Sequence, residues 1–192
     1  MLVGTHLLIG ENVYSYIQRK LRVELNKTNF LYGNVKPDIV FRLSSKSHRI
    51  KDSLEFVLQE IDRLMTLKDI SIPQFSVDLG VISHFMSDFF CSAHCYDSEE
   101  VKGIVKHLYY EFNLHYQFKK TLRDMSSHIF EKEIDELKNR TISEAITLLR
   151  TFYSQKIFCV KNDIYYALKA STLITRNIIE NSLLYSNPQI AA

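Results

Sequence analysis

LGVISHFMSDFFCSAH, residues 79–94, sets two histidines and an aspartate, His84, Asp88 and His94, into an otherwise apolar run. Such continuous apolarity predicts a central helix buried on most sides, over about Val77 to Cys91. On it His84 and Asp88 stand four residues apart and share a face, where an imidazole and a carboxylate can hold one metal ion. His94 lies ten residues beyond His84, a helical rise of about 15 Å that carries it off that face. Either the helix ends near Cys91 and the chain folds back, or His94 serves a second ion. KHLYYEF, residues 106–112, repeats the four-residue pairing with His107 and Glu111, which gives His94 natural partners.

A single histidine on an apolar helix is ordinarily a core residue. That explanation fails for the set. Three histidines and two carboxylates at compatible spacings sit among aromatics, where an ionised acid without a partner is strongly destabilising. Metal ligation supplies the partner.

Working outward, few glycines, three prolines and abundant Leu, Ile, Phe and Tyr favour helices, and 192 residues fit one domain with a real core. The predicted fold class is therefore all-α, a single multi-helix domain. A first run spans about His6 to Val23, with Leu7, Leu8, Ile9, Val13, Tyr14 and Ile17 facing inward. A loop follows, in which Gly33 and Pro37 read as turn residues just before Asp38; FRLSSKSHRI then delivers His48. A second helix is expected from about Lys51 to Leu67, and Pro73 and Ser76 punctuate the approach to the central one. Asp97 and Ser98, followed by Glu99 and Glu100, read as an N-cap and acidic first turn of a helix reaching about Lys119. Further helical runs are expected at about Thr121 to Lys138, Ile142 to Gln155 and Asp163 to Tyr185, the middle one opened by a Thr141/Glu144 capping box.

A net charge of +2, spread without a basic block, points to no phosphate-backbone footprint. The amino terminus lacks a basic, then apolar, leader and no stretch has bilayer-spanning length, so a cytoplasmic location is expected. Cys91, Cys95 and Cys159 are expected as free thiols; Cys91 and Cys95 read as small residues beside the site in preference to ligands.

With these residues in place the sequence resembles the zinc-dependent phospholipase C family, which shares a helical fold and a trinuclear zinc centre with the single-strand-specific nucleases. The likeness rests on THLLI with His6, KPDIV with Asp38, SKSHRI with His48, LGVISHFMSDFFCSAH with His84, Asp88 and His94, and KHLYYE with His107 and Glu111, in family order over residues 1–115. The remainder matches only as further helices. The resemblance implies two to three zinc ions. Asp38, His48, His84 and Asp88 would hold one, and His94, His107 and Glu111 a second. A third would take His6, the other oxygen of Asp88, and the amine and carbonyl of Met1. Leu2 is bulky, so the initiator methionine is expected to be retained. Ile39 follows Asp38 where the choline-specific phospholipases carry an aromatic, so no choline preference is implied. His115 drifts off the face of His107 and reads as a supporting or core residue, and His128 as structural.

The implied reaction is metal-assisted hydrolysis of a phosphodiester, with Asp38 as the catalytic group that orients or deprotonates water. The expected substrates are a phospholipid headgroup, met through transient contact with a membrane surface, or a soluble phosphodiester. Two alternatives stay open: a 3'-nucleotidase or single-strand nuclease acting on nucleic acid, which needs stacking aromatics, and a degenerate metal-binding helical protein.

Overall fold

Helix is the only regular structure among residues 1–95, 103–124 and 140–185, which are those described by the computed structural model. In order the elements are α1 (Val3–Leu21), α2 (Lys27–Ile39), α3 (Phe41–Ser44), α4 (Ile50–Thr66), α5 (Ile72–Phe89), α6 (Ser92–Cys95), α7 (Ile104–Asp124), α8 (Ile142–Ser154) and α9 (Val160–Asn181). None of them is long and apolar enough to cross a membrane.

Helix α5 is the centre of the packing, with α2, α9, α4 and α1 laid against it. It begins five residues earlier than periodicity suggests. Pro73 falls in the first turn, where a missing N–H costs nothing, and the Ser71 hydroxyl accepts from the Gln74 N–H at 3.3 Å. Beyond Gln74, every residue of α5 except Asp78 is buried. At the far end the Phe89 carbonyl accepts a 2.7 Å hydrogen bond from Arg150 of α8, which satisfies a group the helix itself cannot.

The expected loop around Gly33 and Pro37 is instead α2, and the reason is packing. Phe30, Gly33, Asn34 and Pro37 form one buried face of α2, at spacings of three, four and seven. Gly33 serves no turn. A Cβ there would lie 2.1 Å from the Val77 carbonyl oxygen, and one at Gly80 would lie 2.3 Å from that of Phe30. The two backbones therefore touch, as only glycine allows. Pro37 sits in the last turn, where the bond its N–H would have made to the Gly33 carbonyl is lost but little helix follows to be disrupted.

The remaining helices bury ordinary stripes: Ile9, Val13 and Ile17 of α1, Val57, Ile61 and Leu64 of α4, and Ala145, Ile146 and Leu149 of α8. Arg22, at φ 53°, closes α1 two residues before the expected end. The capping box of α8 is formed in both directions, Glu144 N–H to Thr141 Oγ1 at 3.2 Å and Thr141 N–H to Glu144 Oε2 at 2.8 Å. Helix α9 begins at Val160, ahead of Asp163, and ends at Asn181, short of Tyr185. Thr121 continues α7 and does not open a new helix. The Asp97/Ser98 cap, His128 and most of the run to Lys138 lie outside the described residues.

Candidate metal centre

Asp88, fully buried near the end of α5, divides its two oxygens between two groups of donors. Oδ2 lies 2.7 Å from His48 Nδ1 and 3.2 Å from His84 Nε2. Oδ1 lies 2.8 Å from the Met1 amine and 3.5 Å from both His6 Nε2 and His94 Nε2. Asp38, in the last turn of α2, faces the same space, with Oδ1 3.7 Å from His84 Nε2 and 3.8 Å from His48 Nδ1. Its Oδ2 is 3.8 Å from His6 Nε2. Among the described residues, three sets each bring ligand atoms within 4.8 Å of one another: His6, His84 and Asp88; Asp38, His48 and His84; and His94, His107 and Glu111.

The fold orients two of these imidazoles from behind. His84 Nδ1 lies 2.8 Å from the Asn34 carbonyl, which can only accept, so Nδ1 carries a proton and the neutral imidazole presents Nε2 as its lone pair. The close crossing of α2 over α5 at Gly33 and Gly80 is what brings that carbonyl within reach. His6 Nδ1 is 3.1 Å from the Ser87 hydroxyl, whose own proton goes to the His84 carbonyl at 2.7 Å. His6 therefore also presents Nε2 as a lone pair, and its ring stacks on that of His84 at 3.8 Å between centroids. Both lone pairs point at carboxylate oxygens. In the protein alone, His6 Nε2 and Asp38 Oδ2 are buried with no hydrogen-bond partner. Lone pairs converging with anionic oxygens in a buried space repel unless a cation lies between them, and this donor set fits zinc.

The second group is built differently. Beyond Phe89 the chain turns, as the first of the two sequence alternatives expects, and α6 returns His94 to the cluster beside His107 and Glu111. His94 Nε2 lies 3.3 Å from Glu111 Oε1, and His107 Nε2 lies 3.0 Å from the same oxygen. The Met1 amine bridges the two groups, 2.8 Å from His94 Nε2 and 3.3 Å from Glu111 Oε1.

Protonation follows from burial and charge. Burial lowers the pKa of the Met1 amine, but Asp88 and Glu111 outweigh it and raise it to about 11, so a proton must leave before the nitrogen can meet a metal. Burial, then the neighbouring His84, pushes His6 well below the usual imidazole range, keeping it neutral as a ligand must be. His94 is lowered by burial and by the amine. Burial would raise Asp88, yet the amine and the surrounding imidazoles hold it well below the carboxylate range. Glu111 is likewise held low against burial by its hydrogen bonds to His107 and His94. Asp38 goes the other way, raised chiefly by burial. Burial lowers His48, but its hydrogen bond to Asp88 prevails and raises it.

All nine residues singled out in the sequence, Met1, His6, Asp38, His48, His84, Asp88, His94, His107 and Glu111, are thus gathered at one end of α5. His115 is elsewhere, with Nδ1 3.0 Å from the Thr5 hydroxyl and its ring against Gly4. Cys91 is a buried free thiol, its pKa raised by burial. Sequence reading missed Asn34 and Ser87, which orient rings through a carbonyl and a hydroxyl. Backbone carbonyls have no residue signature, though Ser87 falls one residue before Asp88 on a run otherwise apolar.

Compared with known proteins, the chain matches a family model described as zinc dependent phospholipase C over residues 5–172. No curated protein and no solved structure matches it. The match takes in α1 through most of α9 and every one of the nine gathered residues except Met1, and on that extent the chain belongs to the zinc dependent phospholipase C family.

Proposed function

We propose that this protein is a zinc-dependent phosphodiester hydrolase of phospholipase C type, and that the nine gathered residues hold two to three zinc ions. The observation that carries the reading is the divided Asp88 carboxylate, with bare histidine lone pairs approaching each oxygen. Asp38, His48 and His84 with Asp88 Oδ2 make one donor set, and His94, His107 and Glu111 another. His6, Asp88 Oδ1 and the amine of a chain that begins at Met1 make the third.

Bound zinc supplies a water acidic enough to act near neutral pH and positive charge against the phosphate oxygens. The rest is the work of the protein. Asp38 is the group to receive the proton of the attacking water, at Oδ2: this oxygen lacks a protein partner, and burial raises the carboxyl's proton affinity. Asp88 keeps its charge and spaces the donor sets. His107 and His48, both partly exposed, lie where a phosphodiester would enter. The substrate is a phospholipid headgroup or a soluble phosphodiester.

Metal content of the untagged chain by mass spectrometry, followed by bis-nitrophenyl phosphate, phosphatidylcholine and single-stranded DNA assayed side by side, tests the reading. Two or three zinc ions with turnover of the diester are expected. A chain that takes up no zinc overturns it, and preference for the DNA would move the activity to the nuclease branch. Asp38→Asn should lower turnover by about 10²–10⁴-fold, the usual contribution of a general base, while zinc content falls far less.

A further inference from the structure

Four hydrogen-bond donors converge on a buried carboxylate that belongs to none of the donor sets. Asp163, in the first turn of α9, has no solvent exposure. Its Oδ1 accepts from the Ser92 hydroxyl at 2.8 Å and the Tyr153 hydroxyl at 2.7 Å. Its Oδ2 accepts from the Ser92 backbone N–H at 2.6 Å and the Tyr110 hydroxyl at 2.8 Å. All four lone-pair directions of an ionised carboxylate are thereby used.

The elements so tied are those that carry one zinc set. Ser92 opens α6 two residues before His94, and Tyr110 lies on α7 between His107 and Glu111. A four-residue helix has no cooperative stability of its own. Helix α7 turns Tyr109, Phe112 and Tyr116 outward, so less than its whole circumference is packed. His94 and Glu111 meet across a gap that neither element can hold by itself, whereas charge-assisted hydrogen bonds to one rigid carboxylate set the distance between them.

We propose that Asp163 is a positioning residue for the His94, His107 and Glu111 set, locking α6 to α7 at the separation one zinc ion requires. The inference rests on reading that set as a zinc site. Asp163→Asn would turn an amide against two of the four donors, and the set would lose its registration. The two tyrosines provide a matched pair. Tyr110→Phe removes one bond to Asp163 from a helix that carries donors; Tyr153→Phe removes one from α8, which carries none, together with a 2.9 Å contact between its hydroxyl and that of Ser92, while Ser92 keeps both of its own bonds to Asp163.

The test is zinc titration of the full chain against a chromophoric chelator, with stoichiometry by native mass spectrometry and apo-protein melting recorded in parallel. Loss of a partner bonded directly to a metal ligand weakens binding by roughly 10–100-fold; Asp163 and Tyr110 hold the segments that carry the ligands and not the ligands themselves, so the top of that range is their ceiling. Tyr110→Phe should accordingly weaken one zinc about tenfold and Asp163→Asn by up to about a hundredfold, the other ions being retained, while Tyr153→Phe lowers the melting temperature without changing zinc affinity. Equal zinc losses in the two tyrosine variants, or unchanged binding in Tyr110→Phe, would overturn the assignment, and this comparison decides even where Asp163→Asn does not fold. A wild-type chain that binds no zinc would instead remove the zinc reading itself, and the inference with it.

Discussion

Around Asp88, His6 and His84 are wholly buried, whereas His94 is 15% and His107 32% exposed on the Glu111 side. The first pair is aimed from behind by Asn34 and Ser87 on packed helices. The second pair hangs on a short helix and an outer one, tied back through Asp163. The same ligand chemistry is thus built once as part of the core and once at its edge. The core side holds a fixed charge arrangement, while the partly exposed His94 and His107, with His48 beside Asp88, leave the cluster open to solvent.

Four perturbations would break or sharpen that contrast. Gly80→Ala should have the largest effect, because its methyl would meet the Phe30 carbonyl oxygen at 2.3 Å and force α2 off α5. Overpacking that shifts backbone typically costs about 1–3 kcal/mol and occasionally more, and a 2.3 Å approach belongs at the upper end, so denaturant unfolding should show a large loss of stability, with zinc lost first from the Asp88 side. Asp88→Asn removes the one carboxylate both groups share, and it should abolish hydrolysis and weaken zinc on both sides by more than the roughly 100-fold upper end for outer partners. His107→Ala should remove a single ion and leave the core-side set loaded, as read by native mass spectrometry. Loss of all zinc in that variant would show that the two sides are one cooperative unit. Residues added before Met1 replace its amine with an amide that cannot serve as a basic donor, so one zinc should weaken about tenfold or more by the same scale. Unchanged stoichiometry there would leave Met1 outside the centre.

Much of this was legible along the chain because helices repeat locally. The stripes of α1, α4 and α8 and the Thr141/Glu144 box are written in spacings of three and four. The pairs His84/Asp88 and His107/Glu111 obey the same geometry, and family motifs added His6, Asp38 and His48. The misreading at 33–37 has a tertiary cause. Gly33 and Pro37 are turn formers by local preference, and only contact with Gly80 makes a helix the better state there. Asp163 enters the sequence reading only as the approximate start of the last helix, and its four hydrogen bonds come from Ser92, Tyr110 and Tyr153, residues at least ten positions from it along the chain.

By itself, then, the amino-acid order determined the helical class and the His84/Asp88 and His107/Glu111 pairs, which follow from residue type and short-range periodicity, while the resemblance to the family implied Met1, His6, Asp38 and His48. Tertiary structure alone decided that His6 and His84 are aimed by the Ser87 hydroxyl and the Asn34 carbonyl, that a four-residue helix is what brings His94 beside Glu111, and how far each donor stands from the two oxygens of Asp88. Those relations join residues tens of positions apart, and the distances between them are set by backbone contact, not by anything local to either partner.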